Sequence, residues 1–209
     1  MKYHLALLLI LTTLVSFAQK EASYWYFGNS AGLKFNDNGT VTDLTDGQAI
    51  MQGGCATISD KNGNLLFYTN GGTVWNKNHQ IMVNGNAIIG EAYLHTQSSI
   101  ILPKPNSNNL YFLFVVNDFD FDKGHSYSVI DMNGDNGLGE VTSEKNILLY
   151  LPASEKLTAV KHANNKDYWI VTQTSLDGIV YCYLLTENGV NPIPIQNTIG
   201  QYQYDNNKD

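Results

Sequence analysis

Three features of the sequence predict an all-β fold built from small four-stranded units. Strand-forming side chains are abundant, with thirteen Tyr and eight Phe beside many Thr, Val and Ile, and such residues fit a pleated surface. Turn formers, among them eighteen Gly and many Asn, interrupt them at short intervals. The chain also aligns with itself, one short strand-turn pattern returning three times. After the first eighteen residues, no stretch holds a 3.6-residue apolar period long enough for a helix.

Residues 1–18 stand apart. Lys2 and His4 precede the apolar run "LALLLILTTLV" (5–15), and "SFA" (16–18) ends in small residues. A charged start, a core too short to span a bilayer and a small-residue exit predict a signal peptide cleaved after Ala18. A buried first helix would need a polar face, which this run lacks. With no cysteine near the junction, lipid attachment is not expected, nor is a transmembrane segment in the mature chain. Residues 19–200 then form one β domain and 201–209 a polar tail.

The repeat sets the element order. "CATIS" (55–59), "SSIIL" (98–102) and "LTAVK" (157–161) are equivalent first strands. Polar corners follow at 60–64, 103–109 and 162–167, then the second strands "LLFYT" (65–69), "LYFLFVV" (110–116) and "YWIVT" (168–172). Third strands come at 73–75, 126–131 and 179–185, and fourth strands begin near 80–82, 140–142 and 189–191. The segment before Gly54 fits the same frame without its start: "YWYF" (24–27) matches "YWIV", and "GLKF" (32–35) and "TVTDL" (40–44) supply the next two strands.

This count, strands two to four of a first blade followed by three full blades, predicts a partial β-propeller. The second strands are apolar at successive positions, so both their faces must be covered. The first strands carry small residues, Cys55, Ala56, Ser98, Ser99, Thr158 and Ala159, as crowding near an axis would require. A two-sheet sandwich explains short, evenly spaced strands but not the four-strand recurrence. Trp25, Trp75 and Trp169 are expected to wedge between blades. Residues 195–204 could supply the missing first strand of a four-bladed ring, but they hold no run like "CATIS". The expectation is therefore an incomplete propeller with an unpaired edge and an exposed apolar face.

Charge and cysteines exclude several classes. The net charge is −7 and arginine is absent, so the guanidinium forks that read phosphates and bases are missing and no nucleic-acid partner is expected. Cys55 and Cys182 are too few for a disulfide framework. Each lies in an apolar run and is read as a free buried thiol, with a bond between them left open.

Catalytic and metal motifs are sparse. Asp131, Asn133 and Asp135 match the start of a calcium loop, but Asn136 stands where glycine belongs and Thr142 where the bidentate glutamate belongs. "DKNGN" (60–64) reads as an Asx corner with a type I′ turn at Asn62–Gly63. The better cation candidate is Asp118, Asp120 and Asp122, which alternation in an extended loop would place on one side, as a Ca²⁺ site. His79, His95, His125 and His162 lack zinc-site spacing. Ser98, Ser99 and Ser154 lie outside a nucleophile elbow. "GNSAG" (28–32) lacks the lysine of a phosphate loop, and no order of residues fixes a carboxylate pair among Glu91, Glu155 and Asp167.

A binding surface remains. If the first strands run alike around an axis, the residues leading into them meet at one rim. Gln52, His95, Gln97, Glu155 and Lys156 would then hold a glycan or peptide by hydrogen bonds, with Tyr93 as a stacking surface.

The stretches "YWYFGNSAGLKF" (24–35), "LTDGQ" (44–48), "GCATISDKNGNLLFYTNGGTVWNKNHQIM" (54–82), "TQSSIILPKP" (96–105) and "EKLTAVKHANNKDYWIVT" (155–172) resemble, in order, a known group. It is the N-terminal region of large exported Bacteroidota proteins that end in a gliding-motility-associated, type IX secretion sorting domain of the second type. The resemblance implies a propeller-like region and a secreted or outer-surface destination, and no enzymatic activity for named residues. This chain departs from the group by stopping at Asp209, without a sorting domain. The resulting expectation is a noncatalytic secreted or surface module, structural or adhesive, that binds a glycan or a surface protein. The alternative is an extracellular hydrolase of polysaccharide or peptide.

Overall fold

The computed structural model describes residues 20–50, 52–90, 97–117, 123–174 and 178–198. The expected signal peptide, Tyr93, His95, the acidic triad Asp118, Asp120 and Asp122, and the tail lie outside these residues. The described chain is all-β, arranged as four small antiparallel sheets that follow one another in sequence.

The first sheet holds β1 (Tyr24–Phe27), β2 (Ala31–Phe35) and β3 (Val41–Leu44) in that order. The second holds β4 (Ala56–Ser59), β5 (Leu65–Thr69) and β6 (Val74–Asn76), and its expected fourth strand is reduced to one bridge, Trp75 to Ile81. The third runs β7 (Ser99–Pro103), β8 (Leu110–Asn117) and β9 (Gly124–Asp131); both β10 (Glu140–Val141) and β11 (Ile147–Tyr150) pair with the far side of β9. The fourth repeats this plan: β12 (Ala153–Lys161), β13 (Tyr168–Thr174) and β14 (Ile179–Thr186), with β15 (Gly189–Val190) and β16 (Ile195–Thr198) both pairing with β14. The predicted first, second and third strands all form, and the fourth strand is split in two in the last two sheets. Ile195–Thr198 joins the fourth sheet, so these residues do not complete the first.

Three apolar clusters join the sheets face to face. Tyr26, Leu65, Tyr68 and Trp75 pack between the first and second. Phe67, Val74, Leu113, Val115 and Ile130 fill the space between the second and third. Phe112, Phe114, Leu157, Ile170 and Tyr183 do so between the third and fourth. Side chains alternate across a strand, so β8 sends Tyr111, Leu113 and Val115 to one neighbour and Phe112, Phe114 and Val116 to the other. This is the two-sided burial that its continuous apolar run required.

Polar ties reinforce the packing. At the first interface Tyr68 stacks on Tyr26 and Trp75, with ring centres 4.6 and 5.6 Å away. Its hydroxyl accepts from Gln48 N–H (3.1 Å) and lies 3.1 Å from His79 Nδ1, while Tyr26 donates to Asp46 at 2.8 Å. His79 Nε2 is 3.4 Å from the same carboxylate. Burial and the Asp46 carboxylate push the Tyr26 phenol well up. Between the second and third sheets the chain at 83–89 is clasped to 140–146. Val141 N–H donates to the Val83 carbonyl (2.9 Å), Lys145 Nζ to that of Asn86 (2.7 Å), and Asn146 Nδ2 to that of Ala87 (2.9 Å).

The outward faces of the end sheets stay partly open. Trp25, Phe27, Phe35 and Val41 are exposed on the first, and Val160 and Ile195 on the fourth. Trp75 does wedge between sheets, but Trp25 does not. With none of the described residues covering the first sheet's outer face, its indole leans edge-on against Phe35 (5.2 Å). Trp169 is partly buried and tilted against His162. Cys55 and Cys182 are free and only partly buried, and burial raises the Cys55 thiol pKa.

His125 on β9 is fully buried against Phe114, Tyr150 and Tyr183. Its Nδ1 lies 3.0 Å from the Val115 carbonyl and so carries the proton, while Nε2 has no partner among the described residues. Burial drives its pKa from 6.5 to about 4, against the opposing pull of that carbonyl. The unfolded chain takes up a proton near 6.5 and the folded chain does not, so stability is full above that value and falls as pH drops toward 4. Chemical denaturation across this window should show a loss of roughly 3 kcal/mol from this group. A His125→Leu variant should lack that component of the pH dependence.

Candidate functional site

The sheet orders place β1, β4, β7 and β12 each at an edge of its own sheet. These four edges line one cavity of about 470 Å³. Consecutive residues reach it, 25–27 from β1, 55–57 ahead of and within β4, and 99–102 from β7. A wall of consecutive residues is a strand seen edge-on, with its backbone groups as well as its side chains. The small residues Cys55, Ala56, Ser99, Thr158 and Ala159 all stand there, consistent with the crowding expected of first strands.

A second cavity of about 360 Å³ lies beside the first, between Gln97, Glu155, Lys156 and the middle strands of the fourth sheet. Gln97 lines both. Three of the predicted rim residues are thus brought together: Gln97, Glu155 and Lys156, the last two with Nζ 3.6 Å from Oε1. Gln52 is exposed and lines neither cavity. The reason lies two residues on, where Gly54 is pressed against the start of β7. A Cβ there would sit 2.2 Å from the Ser98 backbone nitrogen, and Ser98 Oγ donates to the Gly54 carbonyl at 3.2 Å. This contact closes the lead into β4, and Gln52 is left on the outside.

Residues that the sequence reading did not assign to the site also line it. Trp25, 52% exposed, and Phe27, 39% exposed, form an aromatic border. Thr57 lines the wall and accepts the Tyr26 N–H through Oγ1 at 2.9 Å. Ser99 is buried and its Oγ has no hydrogen-bond partner among the described residues. The "YWYF" match identifies β1 as a strand, but no signal in it tells that its edge faces the cavity.

The remaining chemical candidates are separated in the fold. Among the described residues, His79, His125 and His162 occupy three different places: the first interface, the third-to-fourth interface and a corner where His162 Nδ1 accepts Asn164 N–H at 3.1 Å. No group of three or more metal-ligating side chains occurs among the described residues. Among the described residues, Glu155 is the one carboxylate on the walls of the two cavities. No helix of the described residues is long and apolar enough to cross a membrane.

The acidic corners are engaged with their own backbones. Asp60 Oδ1 accepts the N–H groups of Asn62 (2.8 Å) and Asn64 (2.9 Å), and Oδ2 accepts Asn64 Nδ2 at 3.0 Å. Gly63 N–H closes on the Asp60 carbonyl at 2.9 Å with φ +85°, while Asn62 keeps a negative φ. The corner is therefore a type I turn ending in a left-handed glycine, not the expected type I′. Residues 36–40 and 76–80 close in the same way, with His79 (φ 61°) in the glycine's place at the second. In the later loop, Asp131 Oδ1 accepts from Asn133 N–H (2.9 Å) and Asn109 Nδ2 (3.0 Å).

Comparison with family models, with curated proteins and with solved structures finds no match to the chain.

Partial burial works to raise the Asp60 pKa, but the hydrogen bonds from Asn64, Asn62 and Gly63 outweigh it and hold the carboxyl below its ordinary 3.8. Its contribution is present above the unfolded value and lost as pH falls through the folded one. Asp60→Ala should therefore lower unfolding free energy by about 1 kcal/mol at neutral pH. The gap between wild type and variant should close in acid, as measured by urea titration at each pH.

Proposed function

We propose that this chain is a noncatalytic, secreted or outer-surface module of partial β-propeller build, structural or adhesive, that binds an extracellular glycan or surface protein at the mouth of its cavities. One observation carries the reading: four edge strands from four successive sheets border one cavity, and Gln97 joins it to a second that holds Glu155 and Lys156. Blades set around an axis would present their first strands in this way. The first sheet lacks such a strand, so β1, the counterpart of a second strand, stands in its place on the wall. The destination rests on the signal-like segment at 1–18 and on the resemblance to exported Bacteroidota proteins with type IX sorting domains.

The noncatalytic reading is supported by the chemistry of the walls that the described residues form. Hydrolysis of a glycosidic bond ordinarily needs two facing carboxylates, and Glu155 stands there with Lys156 beside it. Neutral hydrogen-bonding groups and aromatic rings suit recognition.

A glycan array probed with the chain from Gln19 onward should give signals that a Gln97→Ala, Glu155→Ala double variant loses. Equal signals from both proteins would remove these residues from the site.

A further inference from the structure

We infer that the larger cavity is a subsite for a neutral saccharide, stacked on Trp25 at its border and extending past Gln97 toward the second cavity. This deepens the binding-module reading above and rests on it. Among the described residues, no charged side chain lines the larger cavity. Thr57, Gln97, Ser99 and Thr158 are among its lining residues and carry uncharged donors and acceptors, while the hydroxyl of Tyr26, which also lines it, is given to Asp46. An anionic sugar would meet no guanidinium and a chain of net charge −7, whereas a neutral one meets no penalty of this kind.

The wall also suits hydroxyl groups. Because β1, β4, β7 and β12 end their sheets, they turn edges toward the cavity, and a strand edge alternates N–H donors with C=O acceptors. A sugar hydroxyl both donates and accepts, so it can use either. The buried Ser99 Oγ, lacking a partner among the described residues, adds capacity that a bound hydroxyl would satisfy; an unmade buried hydrogen bond is otherwise costly.

The aromatic border supplies the apolar half of recognition. Trp25 is half exposed, yet its edge-on contact with Phe35, 5.2 Å between centres at 66°, holds the indole in place. A ring fixed in advance loses little freedom when a ligand stacks on it, and the C–H face of a pyranose is the matching surface. The volume of about 470 Å³ falls in the range of small-molecule sites. The adjoining cavity behind Gln97 gives a longer chain somewhere to continue.

An extended peptide adding to a strand edge is the competing occupant. It would need the outward N–H groups of β1. The Tyr26 N–H is already taken by Thr57 Oγ1 at 2.9 Å, which blocks the ladder at its centre and leaves side-chain recognition favoured.

The test titrates the chain from Gln19 with neutral gluco-, manno-, galacto- and xylo-oligosaccharides, with an oligogalacturonate and with the peptide SSIIL. Calorimetry and acrylamide quenching of tryptophan fluorescence are the readouts. At least one neutral series should give saturable heat below about 10 mM and shield tryptophan from quenching. Trp25→Ala should weaken that binding at least about tenfold and abolish the shielding, while Trp169→Ala leaves both. Gln97→Ala, at an exposed position, should weaken the same sugar and serves if Trp25→Ala fails to fold by circular dichroism. Neutral binding unchanged by both variants, preference for the oligogalacturonate or the peptide, or silence across the neutral series would each overturn the proposal. Silence here together with array signals that depend on Gln97 and Glu155 would leave the module reading standing and remove only the neutral-sugar class. Silence here with array signals indifferent to those residues would remove both.

Discussion

The third sheet is apolar on both sides, and this single constraint organises the rest of the molecule. β8 buries Leu113 toward the second sheet and Phe114 toward the fourth, and neither touches solvent. A strand of this kind cannot belong to a sheet with one wet face. It requires a neighbour on each side; β5 in the second sheet is buried in much the same way, whereas β13 in the fourth alternates between buried and half-buried positions. Sheets stacked in this manner have their ends uncovered, which is why Trp25 and Val41 at one end and Val160 and Ile195 at the other stay exposed.

What position in a sheet then decides is which edge is left free. Pairing runs from the first strand outward, so the first strands keep one unpaired edge, and packing the sheets side by side gathers those edges around common space. The cavity is thus a consequence of stacking, and its polarity comes from backbone edges and small residues. Among the described residues the charges of Asp60 and Asp131 sit away from it, in corners where both are occupied in shaping turns, as is the neutral Asn76. Lys156 and Glu155 are the exception, next to the second cavity.

Much of the strand order was legible because it depends on side-chain type and spacing. "LLFYT", "LYFLFVV" and "YWIVT" became β5, β8 and β13 close to the expected bounds. β11 escaped notice and the β16 segment was weighed only as a missing first strand, since Ile147–Tyr150 and Ile195–Thr198 have no place in the repeat alignment, and their pairing with β9 and β14 is set by tertiary neighbours. The clasp of 83–89 on 140–146 was hidden for the same reason. The turn type at Asn62–Gly63 was misjudged because the dipeptide alone suggests type I′, whereas the Asp60 carboxylate pulls two backbone N–H groups into another geometry. At the site, Gln97, Glu155 and Lys156 could be found from their place before the first strands. Trp25 could not, because periodicity marks which face a side chain takes and not which edge of the strand meets the cavity.

The stacking of sheets is tested most directly by comparing Leu113→Ala with Phe114→Ala in equilibrium urea unfolding. These neighbouring residues point to opposite faces of β8, so each truncation probes a different interface. Both should lose about 2–5 kcal/mol, with circular dichroism confirming a folded start. If one of the two is close to neutral, β8 has a solvent-facing side and the face-to-face arrangement is wrong.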